Sequence, residues 1–554
     1  MEQVFERRPW LLPVCLALLT LLFLRPLIIP PGPNEALNGG DFVSFFYPMQ
    51  TFIRQSVLSG VLPLWNPHQF IGYPIAGDPQ AGLFYPATWL MWLVGVVRGM
   101  NLALALHVWL GAWGMAALAR RFRATYMASL LAGVIYGMSE WMAARLYAGH
   151  YTIVLAAAWI PWLMAAYDDA LAQRTWRSVL PAVAFMGLLL LAGSPPMDVY
   201  GVIALLTLWL YYAARAEAPL QAAWYAAKHL ILIAFGGAVL GAAILIPAGQ
   251  FTALAVRGSS DLAFANSFAL PPAQYIGLAL PGFFGDPKAT DYTHYWGADF
   301  FQEFVAYAGL LPILAIPLAF RWRRRENWYF LALIAFGLIA SIGLTGGLMP
   351  LLWEWIPGFA SFRTPGRALY FVMLGLAGLT AMLITALQNS TAEERREALR
   401  SVLGRWIPLA AVVAFIGAIY FAGWYASANH TEPMPVRAIV ISGSLASAGV
   451  ILLGIWFVLW LWTNDQPRVA HWALLLTGAL IVLDAWHVGY PIIGIGPISE
   501  DALWAGARIN VPIGPDARVV APGGMETLAS ASGHLNVAGY NPLVLDTYAK
   551  LTAL

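Results

Sequence analysis

Residues 310–341 read LLPILAIPLAFRWRRRENWYFLALIAFGLIAS, two apolar stretches joined by a turn that carries four arginines. The stretches belong to the apolar runs 303–320 and 327–343, each close to the roughly 20 residues that a helix needs to cross a membrane. The positive-inside rule places an arginine-rich turn of this kind in the cytoplasm. The segment therefore predicts a helical hairpin that crosses a membrane twice, with its turn on the cytoplasmic side.

The composition of the whole chain agrees with this hairpin. Of 554 residues, 60% are hydrophobic and only 10% are charged, and the mean hydropathy is +0.68. Soluble domains carry about 25% charged residues, so the composition predicts an all-α polytopic membrane protein. The net charge of +2 and the lack of a basic face argue against a nucleic-acid partner. The single cysteine, Cys15, excludes a disulfide framework and a thiolate metal site.

Thirteen apolar runs have about the length of a membrane span, and we therefore predict about 13 transmembrane helices. The runs are 10–28, 100–119, 128–146, 151–168, 178–194, 198–214, 229–248, 303–320, 327–343, 366–387, 406–426, 437–462 and 470–487. A further run, 81–97, contains Pro86, and a crossing there would place the arginines of 120–123 outside. The positive-inside rule therefore favours an interfacial or re-entrant helix for 81–97.

The distribution of positive charge predicts the orientation of these helices. With the N-terminus inside, 18 of the 30 Lys and Arg residues fall on the cytoplasmic side, and the strongest anchors are 321–325 and 390–405. The first apolar run lacks a small-residue cleavage site and continues into Arg25-Pro26, which is typical of an uncleaved signal anchor. We expect a multi-pass protein with a cytoplasmic N-terminus and an extracytoplasmic C-terminus.

The sizes of the loops follow from this topology. We predict a transmembrane domain at 1–487, large extracytoplasmic loops at 29–99 and 249–302, and a short extracytoplasmic tail of mixed structure at 488–554. Loops carry function when a rigid scaffold positions them, so the outer face is predicted to be the functional one. The sequence has no Gly-x-x-x-x-Gly-Lys-Ser/Thr motif, so any energy must come from the substrate or from a gradient.

The first outer loop opens with Gly39-Gly40-Asp41-Phe42, where a carboxylate stands at the membrane edge. Apolar residues recur at helical spacing between Val43 and Val57, and Gly60 is a plausible helix stop. Asp41 is therefore either the N-cap of an interfacial helix or a carboxylate that acts on a lipid-borne substrate. The aromatic residues and turn formers farther along the loop are unusual for a simple connector and favour the second interpretation.

Other polar residues converge on the same predicted face. Arg363 and Arg367 flank a Thr-Pro turn, and two guanidiniums suit a phosphate. The alternative is that they anchor to lipid head groups or pair with acidic residues. His150 either orients a substrate or bonds to backbone at a helix end. Glu140 and Arg145 are expected to satisfy each other near the outer interface.

Further residues on this face are candidates for substrate binding. They are Glu303, expected to begin the eighth span, together with His68, Asp78, Tyr73 and Asp198. Asp198 can equally cap the sixth span. The sequence lacks Asp-x-Asp, His-x-x-x-His and cysteine clusters, so we predict no metal and no cofactor.

The sequence contains several short motifs. Taken together, their order and spacing are fairly specific. The motifs are Gly40-Asp41 with Phe46-Tyr47-Pro48, Ser59-Gly60 through Leu64-Trp65-Asn66-Pro67, Gly72-Tyr73-Pro74, Phe84-Tyr85-Pro86, Gly149-His150, 281–285, 362–367 and 536–542. On these motifs the chain resembles the YfhO-type bacterial membrane proteins. Those proteins are members of the GT-C class of polyprenyl-phosphate-sugar-dependent glycosyltransferases.

The resemblance implies a glycosyltransferase in the bacterial cytoplasmic membrane. It implies a polyprenyl-phosphate-linked sugar donor and an extracytoplasmic acceptor that is a glycan, a teichoic acid, a lipid or a protein of the cell envelope. A carboxylate early in the first outer loop acts as catalytic base in that class, and Asp41 stands at that place. We expect Arg363 and Arg367 to hold the donor phosphate, and membrane lipids to surround the protein.

Two other classes of function are consistent with the sequence. Buried polar residues such as His107, His229 and Asp484 permit a transporter or flippase of a lipid-linked substrate. Transporters more often show paired repeats and helices broken at the bilayer midplane, whereas the polar residues here concentrate at the outer edge. A non-catalytic scaffold for envelope assembly is the third interpretation, with the outer loops as docking surfaces.

Overall fold

The computed structural model describes most of the chain and is largely helical. The described residues are 2–28, 35–37, 39–173, 175–256, 261–322, 324–355, 363–428, 430–497, 518–519, 535–539, 541 and 543–552. Phe362, Tyr540 and Pro542 of the quoted motifs, Arg323 of the basic turn and most of the predicted tail lie outside these residues.

The first half of the chain contains fourteen α-helices within the described residues. They are α1 (Glu2–Arg7), α2 (Leu11–Phe23), α3 (Arg25–Ile28), α4 (Tyr47–Leu58), α5 (Trp89–Val94), α6 (Val96–Arg121), α7 (Tyr126–Met138), α8 (Glu140–Ala148), α9 (Tyr151–Ala157), α10 (Trp159–Gln173), α11 (Leu180–Leu191), α12 (Pro195–Ala214), α13 (Pro219–Leu240) and α14 (Ala242–Leu254). A π-helical turn, Phe42–Phe46, precedes α4.

The second half continues in the same way. Its described α-helices are α15 (Leu262–Ala265), α16 (Leu310–Ala319), α17 (Arg325–Ser341), α18 (Leu348–Trp355), α19 (Leu369–Asn389), α20 (Ala392–Ser401), α21 (Ile407–Ser427), α22 (Pro433–Trp462), α23 (Pro467–Ile492) and α24 (Asp546–Thr552). The described strands are β1 (Glu35–Leu37), β2 (Ile495–Pro497), β3 (Arg518–Val519) and β4 (Leu535–Asn536). β1 pairs antiparallel with β2, and β3 pairs parallel with β4.

Eight helical stretches of the described chain are long and apolar enough to cross a membrane. They are Val96–Arg121, Tyr151–Gln173, Pro195–Ala214, Pro219–Leu240, Pro365–Asn389, Ala392–Ser427, Pro433–Trp462 and Pro467–Ile492. The predicted helical membrane architecture is thereby confirmed. Every one of the thirteen predicted runs contains a helix, but the number of spans, the domain limits and the orientation stay predictions.

α19 is the central helix of the bundle and is buried along nearly its whole length. It packs against α7, α16 and α17. Gly375 and Gly378 permit this close approach, because a Cβ atom at either position would collide with Phe330 or Ile334 of α17. Small residues play this role in helix pairs within membranes, where close backbone contact replaces the hydrophobic effect as the source of attraction.

The helix expected to begin at Glu303 begins instead at Leu310, since the residues between them are not helical. Their backbone groups find buried carboxylate partners. Tyr307 N donates to Glu140 Oε2 at 3.0 Å, and Leu310 N donates to Asp484 Oδ2 at 3.1 Å. Non-helical backbone at membrane depth is tolerated only where protein groups satisfy its hydrogen bonds, and these two carboxylates meet that requirement.

The predicted first outer loop folds back on residues near the C-terminus. Its helix ends at Leu58, and Gly60 has a φ of +76°, as the predicted stop requires. Within the run 81–97 lie a 3-10 turn (Pro86–Thr88), the short α5 (Trp89–Val94) and the first two residues of α6. The predicted position of this run at the membrane surface stays a prediction. β1 lies just before Gly39 and pairs Leu37 with Ile495, so the segment after α23 lies beside the start of the loop.

Candidate functional site

Asp41 lies at the start of the π-helical turn and faces a cavity of about 870 Å³, the Asp41 cavity. The other lining residues are Pro26, Gly39, Gly40, Tyr147, Ala148, His150, Lys288, Phe300, Gln302, Tyr490, Pro491, Ile493 and Gly494. The side chain of Asp41 is 37% exposed and makes no capping hydrogen bond. Its interpretation as a helix N-cap is therefore wrong, because the backbone of Asp41 is already helical there.

Two glycines bring the backbone at Asp41 against the turn between α8 and α9. Gly149 ends α8 in the left-handed conformation, with a φ of +86°. A Cβ atom at Gly149 would lie 2.6 Å from Phe42 N and 3.1 Å from Asp41 Cβ, and one at Gly39 would collide with the carbonyl of Tyr147. Only glycine fits these positions without displacing backbone. The close contact places Asp41 beside His150, the residue after Gly149.

The side chain of His150 is about nine-tenths buried, with 10% of its surface exposed, and its lowered pKa favours the neutral ring. Burial lowers the pKa of His150 to about 3. The positive charges of Arg145 and Arg367 lower this pKa further, whereas the negative charge of Glu303 raises it. Its Nδ1 lies 3.1 Å from Arg145 Nη1, which can only donate, so Nδ1 accepts. The proton of the neutral ring is then on Nε2. That Nε2–H group lies 3.9 Å from Asp41 Oδ2 and 3.8 Å from Glu303 Oε1, between the two carboxylates.

Two arginines bind both carboxylate oxygens of Glu303. Arg145 Nη1 lies 2.6 Å from its Oε2, and Arg367 donates to both oxygens, the shortest bond being 2.6 Å from Nη2 to Oε1. Burial alone raises the pKa of Glu303, but the charges of Arg145 and Arg367 outweigh it and hold that pKa well below its usual range. Glu303 therefore stays ionised and orders the residues behind Asp41.

This network corrects the expected pair of Glu140 and Arg145. Arg145 binds Glu303 across the bundle, whereas Glu140 accepts a hydrogen bond from the backbone of Tyr307. Both residues lie on α8, and their side chains point to different partners contributed by the 301–309 segment. The expectation failed because the partner is distant in sequence.

Arg363 and Arg367 meet in a second, small pocket of about 50 Å³, the arginine pocket. Its other lining residues are Pro196, Val199, Tyr200, Ile203, Ala265, Phe336, Ala340, Met349, Thr364, Pro365 and Ala368. Arg363 is exposed, and its Cζ lies 5.3 Å from the ring centre of Phe268. Arg367 also interacts electrostatically with Asp41. The structure thus brings the two arginines together, but not into the Asp41 cavity.

Three other predicted residues of the first loop lie away from the Asp41 cavity. The ring of His68 packs edge-on to Phe52, and Tyr73 is buried. Asp78 is buried and accepts from Asn541 Nδ2 at 2.7 Å and from Gln80 N at 2.9 Å. Burial raises the pKa of Asp78 to about 6. His68 and Asp78 hold the loop to the end of the chain, since Asn536 N donates to His68 O.

Asp198 lies in the first turn of α12, where its backbone N donates to Ser194 O. It lines neither the Asp41 cavity nor the arginine pocket. Its predicted role in substrate binding stays a prediction.

Sequence reasoning missed Lys288 and Tyr147. Both line the Asp41 cavity, and Lys288 Nζ donates to Pro491 O. The signal for Lys288 was its position three residues after the 281–285 motif. Within the described part of the chain, no group of three or more His, Cys, Asp or Glu side chains could hold a metal ion.

No family model and no curated protein matches the chain. Among solved structures it is similar to ArnT from Cupriavidus metallidurans in the apo state, with a TM-score of 0.47 and 15% identity over 99% of this chain and 89% of that chain. The same protein bound to undecaprenyl phosphate gives a TM-score of 0.43 and 17% identity over 98% and 87%. These scores are too low to assign a family or an activity.

Proposed function

We propose that this protein is a membrane glycosyltransferase that transfers a sugar from a polyprenyl-phosphate donor to an acceptor outside the cytoplasm. The observation that carries the proposal is Asp41, a half-exposed carboxylate that lines a cavity of about 870 Å³ beside neutral His150. A positioned carboxylate of this kind is suited to take a proton from an acceptor hydroxyl. The resemblance of the sequence motifs supports the same reaction.

Asp41 is a better candidate for the base than Glu303. Glu303 has both oxygens bound by arginines, and its low pKa makes it a poor proton acceptor. Asp41 has an exposed carboxylate that a hydroxyl group can reach. The Nε2–H group of His150 is close enough to orient Asp41, or the acceptor, after a shift of about 1 Å to hydrogen-bond distance.

The donor phosphate is proposed to bind at Arg363 and Arg367. Both arginines line a pocket whose other lining is mainly apolar and comes largely from α12 and α17. A polyprenyl phosphate has the same two-part chemistry, a charged group on a hydrocarbon chain. Arg367 connects this pocket to the Asp41 side of the site, because it also binds Glu303. Lys288 is a further cation within the Asp41 cavity.

In the proposed step the acceptor oxygen bonds to the anomeric carbon, and the bond from that carbon to the phosphate oxygen breaks. The hydroxyl proton passes to Asp41, and the electron pair of the broken bond leaves with the polyprenyl phosphate. Arg363 and Arg367 stabilise the negative charge that develops on this leaving group. The acceptor is proposed to be a hydroxyl-bearing glycan, teichoic acid, lipid or protein of the bacterial cell envelope.

The test is the Asp41→Asn variant of the full-length protein, purified and reconstituted in lipid. We expect the rate of sugar transfer from an undecaprenyl-phosphate-linked donor to fall about 10²–10⁴-fold, the usual contribution of general base catalysis. The measurement is the appearance of labelled product and of free undecaprenyl phosphate.

The matched control is Asp299→Asn, which removes an exposed carboxylate of the same predicted face from outside both pockets. It should leave the rate unchanged. Transfer by folded Asp41→Asn at the rate of the wild type would disprove the proposed role of Asp41. Movement of an intact lipid-linked sugar across liposomes, with no new covalent product, would instead identify a transporter.

A further inference from the structure

A third cavity lies at the far end of the helical segment that begins beside His150. Its volume is about 360 Å³, and we call it the Arg177 cavity. Its lining includes Arg121, Trp162, Ala165, Asp169, Arg177 and Phe185. The segment Tyr151–Gln173 has 23 residues, about 35 Å at 1.5 Å per residue. The Arg177 cavity is therefore at the membrane face opposite to Asp41, which is the predicted cytoplasmic face.

One side of the Arg177 cavity is apolar and held in place by aromatic contacts. Trp162 Nε1 donates to Leu110 O at 2.8 Å, so the polar atom of the indole is satisfied elsewhere. The Trp162 ring packs edge-on to Trp113 at 4.9 Å and against Phe185 at 5.6 Å. Together with the neighbouring alanines, this surface suits a hydrocarbon chain.

The other side of the cavity is charged. Arg121 is held by two carboxylates, with Nε 3.2 Å from Asp168 Oδ2 and Nη2 2.8 Å from Asp169 Oδ1. Arg177 is exposed, and its Cζ lies 5.4 Å from the ring centre of Trp176. Because the two carboxylates already hold the guanidinium of Arg121 in place, this side chain loses less conformational entropy when an anion binds.

The residues just outside the cavity are those of a membrane interface. Trp176 is 71% exposed and Leu180 is 53% exposed, although both are large and apolar. Tryptophan is enriched at the level of the lipid head groups. An opening of the Arg177 cavity at this level would let a lipid enter it without leaving the membrane.

The charge of the lining limits the ligand. Asp168, which binds Arg121 from just outside the lining, also interacts electrostatically with Arg215. Three arginines, Arg121, Arg177 and Arg215, therefore face the two carboxylates of Asp168 and Asp169, and the net charge around the cavity is one positive unit. A phosphodiester carries one negative charge and matches this value, whereas free phosphate carries between one and two and has no hydrocarbon for the Trp162 side. We propose that the Arg177 cavity binds an anionic glycerophospholipid of the cytoplasmic leaflet, with its phosphodiester at Arg121 and Arg177 and an acyl chain along Trp162 and Phe185.

The experiment measures lipid binding to the full-length protein in detergent by native mass spectrometry. The probes are dioleoylphosphatidylglycerol, dioleoylphosphatidylcholine and inorganic phosphate. We expect the tightest site to prefer phosphatidylglycerol over phosphatidylcholine about tenfold. Arg177→Gln should weaken that binding about tenfold, because it removes a charge-assisted hydrogen bond, and Arg177→Lys should weaken it about threefold. Arg177 is exposed, so both variants are expected to fold.

The matched control is Arg396→Gln. Arg396 is 54% exposed on α20, lies on the same predicted face and is not part of the Arg177 cavity. This variant removes the same charge and should bind phosphatidylglycerol as the wild type does. Three results would each overturn the proposal: equal affinity for the two lipids, equal losses in Arg177→Gln and Arg396→Gln, or displacement of the lipid by millimolar phosphate.

Discussion

Asp41 and Glu303 are two carboxylates on either side of one histidine, and they differ in almost every other respect. Glu303 is buried and bound by Arg145 and Arg367, whereas Asp41 is half-exposed and faces the Asp41 cavity. His150 lies 3.8 to 3.9 Å from both. The same chemical group is therefore buried in an ion-pair network in one position and partly exposed at a cavity in the other.

The difference shows that the neighbours of a carboxylate decide its role. Two guanidiniums at 2.6 Å fix Glu303 in its charged form and use both of its oxygens. Without Glu303, the positive charges of Arg145 and Arg367 would have no negative partner. Glu303 therefore holds α8 to the segment that precedes α19. Variants that remove the charge at these two positions should separate the structural role of Glu303 from the proposed catalytic role of Asp41.

The largest effect on stability is expected for Glu303→Gln. This change leaves Arg145 and Arg367 as buried charges with a neutral partner, and loss of one member of a buried ion pair costs about 3–5 kcal/mol. The measurement is the free energy of unfolding in detergent, where Asp41→Asn should change stability by less than about 1 kcal/mol. Glu397→Gln, at an exposed site on α20, is the control. Equal stability of Glu303→Gln and the wild type would contradict this interpretation of Glu303.

An intermediate effect is expected from His150 when the pH is changed. Its pKa falls from 6.5 to about 3 on folding, so below pH 6.5 the unfolded chain binds a proton that the folded protein does not. The lowered pKa of His150 therefore makes the free energy of unfolding depend on pH. The contribution of His150 to this free energy is highest above pH 6.5 and falls as the pH is lowered, by at most about 1.4 kcal/mol per pH unit.

The measurement is the difference in unfolding free energy between the wild type and His150→Asn from pH 6.5 to pH 4.5. Glu303 contributes only below its ordinary pKa of 4.5, and the opposite contribution of Asp78 is common to both proteins. As the pH is lowered, the free energy of unfolding of the wild type should fall relative to that of His150→Asn. A difference that is constant with pH would mean that folding does not lower the pKa of His150.

The smallest effect is expected for Asp78→Asn, in the same outer loop as Asp41. Asp78 lies at the contact with Asn541 and not at the Asp41 cavity, and Asn keeps an acceptor for Gln80 N. Removing a buried charge and weakening one hydrogen bond have opposite effects of about 1 kcal/mol each. Sugar transfer should stay within about twofold of the wild type. A loss as large as that of Asp41→Asn would place the reaction elsewhere in the loop.

Features that depend only on neighbouring residues in the sequence could be predicted well. Apolar runs located the helices, and Gly60 marked the end of α4, because hydropathy and backbone conformation depend on neighbouring residues. Asp41 was singled out for the same reason, as a charge at the end of an apolar segment. Its exposed position at a cavity agrees with that choice, while its role in catalysis stays a proposal.

Pairings between distant residues could not be predicted. Arg145 was expected to bind Glu140, five residues away, but it binds Glu303 in another segment. Arg363 and Arg367 do lie in one pocket, yet Glu303 already binds one of them. Sequence spacing contains no information on which helices become neighbours, and the partners of buried charges depend on that packing.

The pairing of Leu37 with Ile495 has a consequence for the order in which the protein is made. The strand beside Asp41 is synthesised near the beginning, whereas its partner follows the last long helix, as do Ile493 and Gly494 of the same cavity. At about 5–20 residues per second, a ribosome needs roughly 20 to 90 seconds to make the chain between the two strands. The nascent protein therefore inserts nearly all its helices before the surroundings of Asp41 are complete.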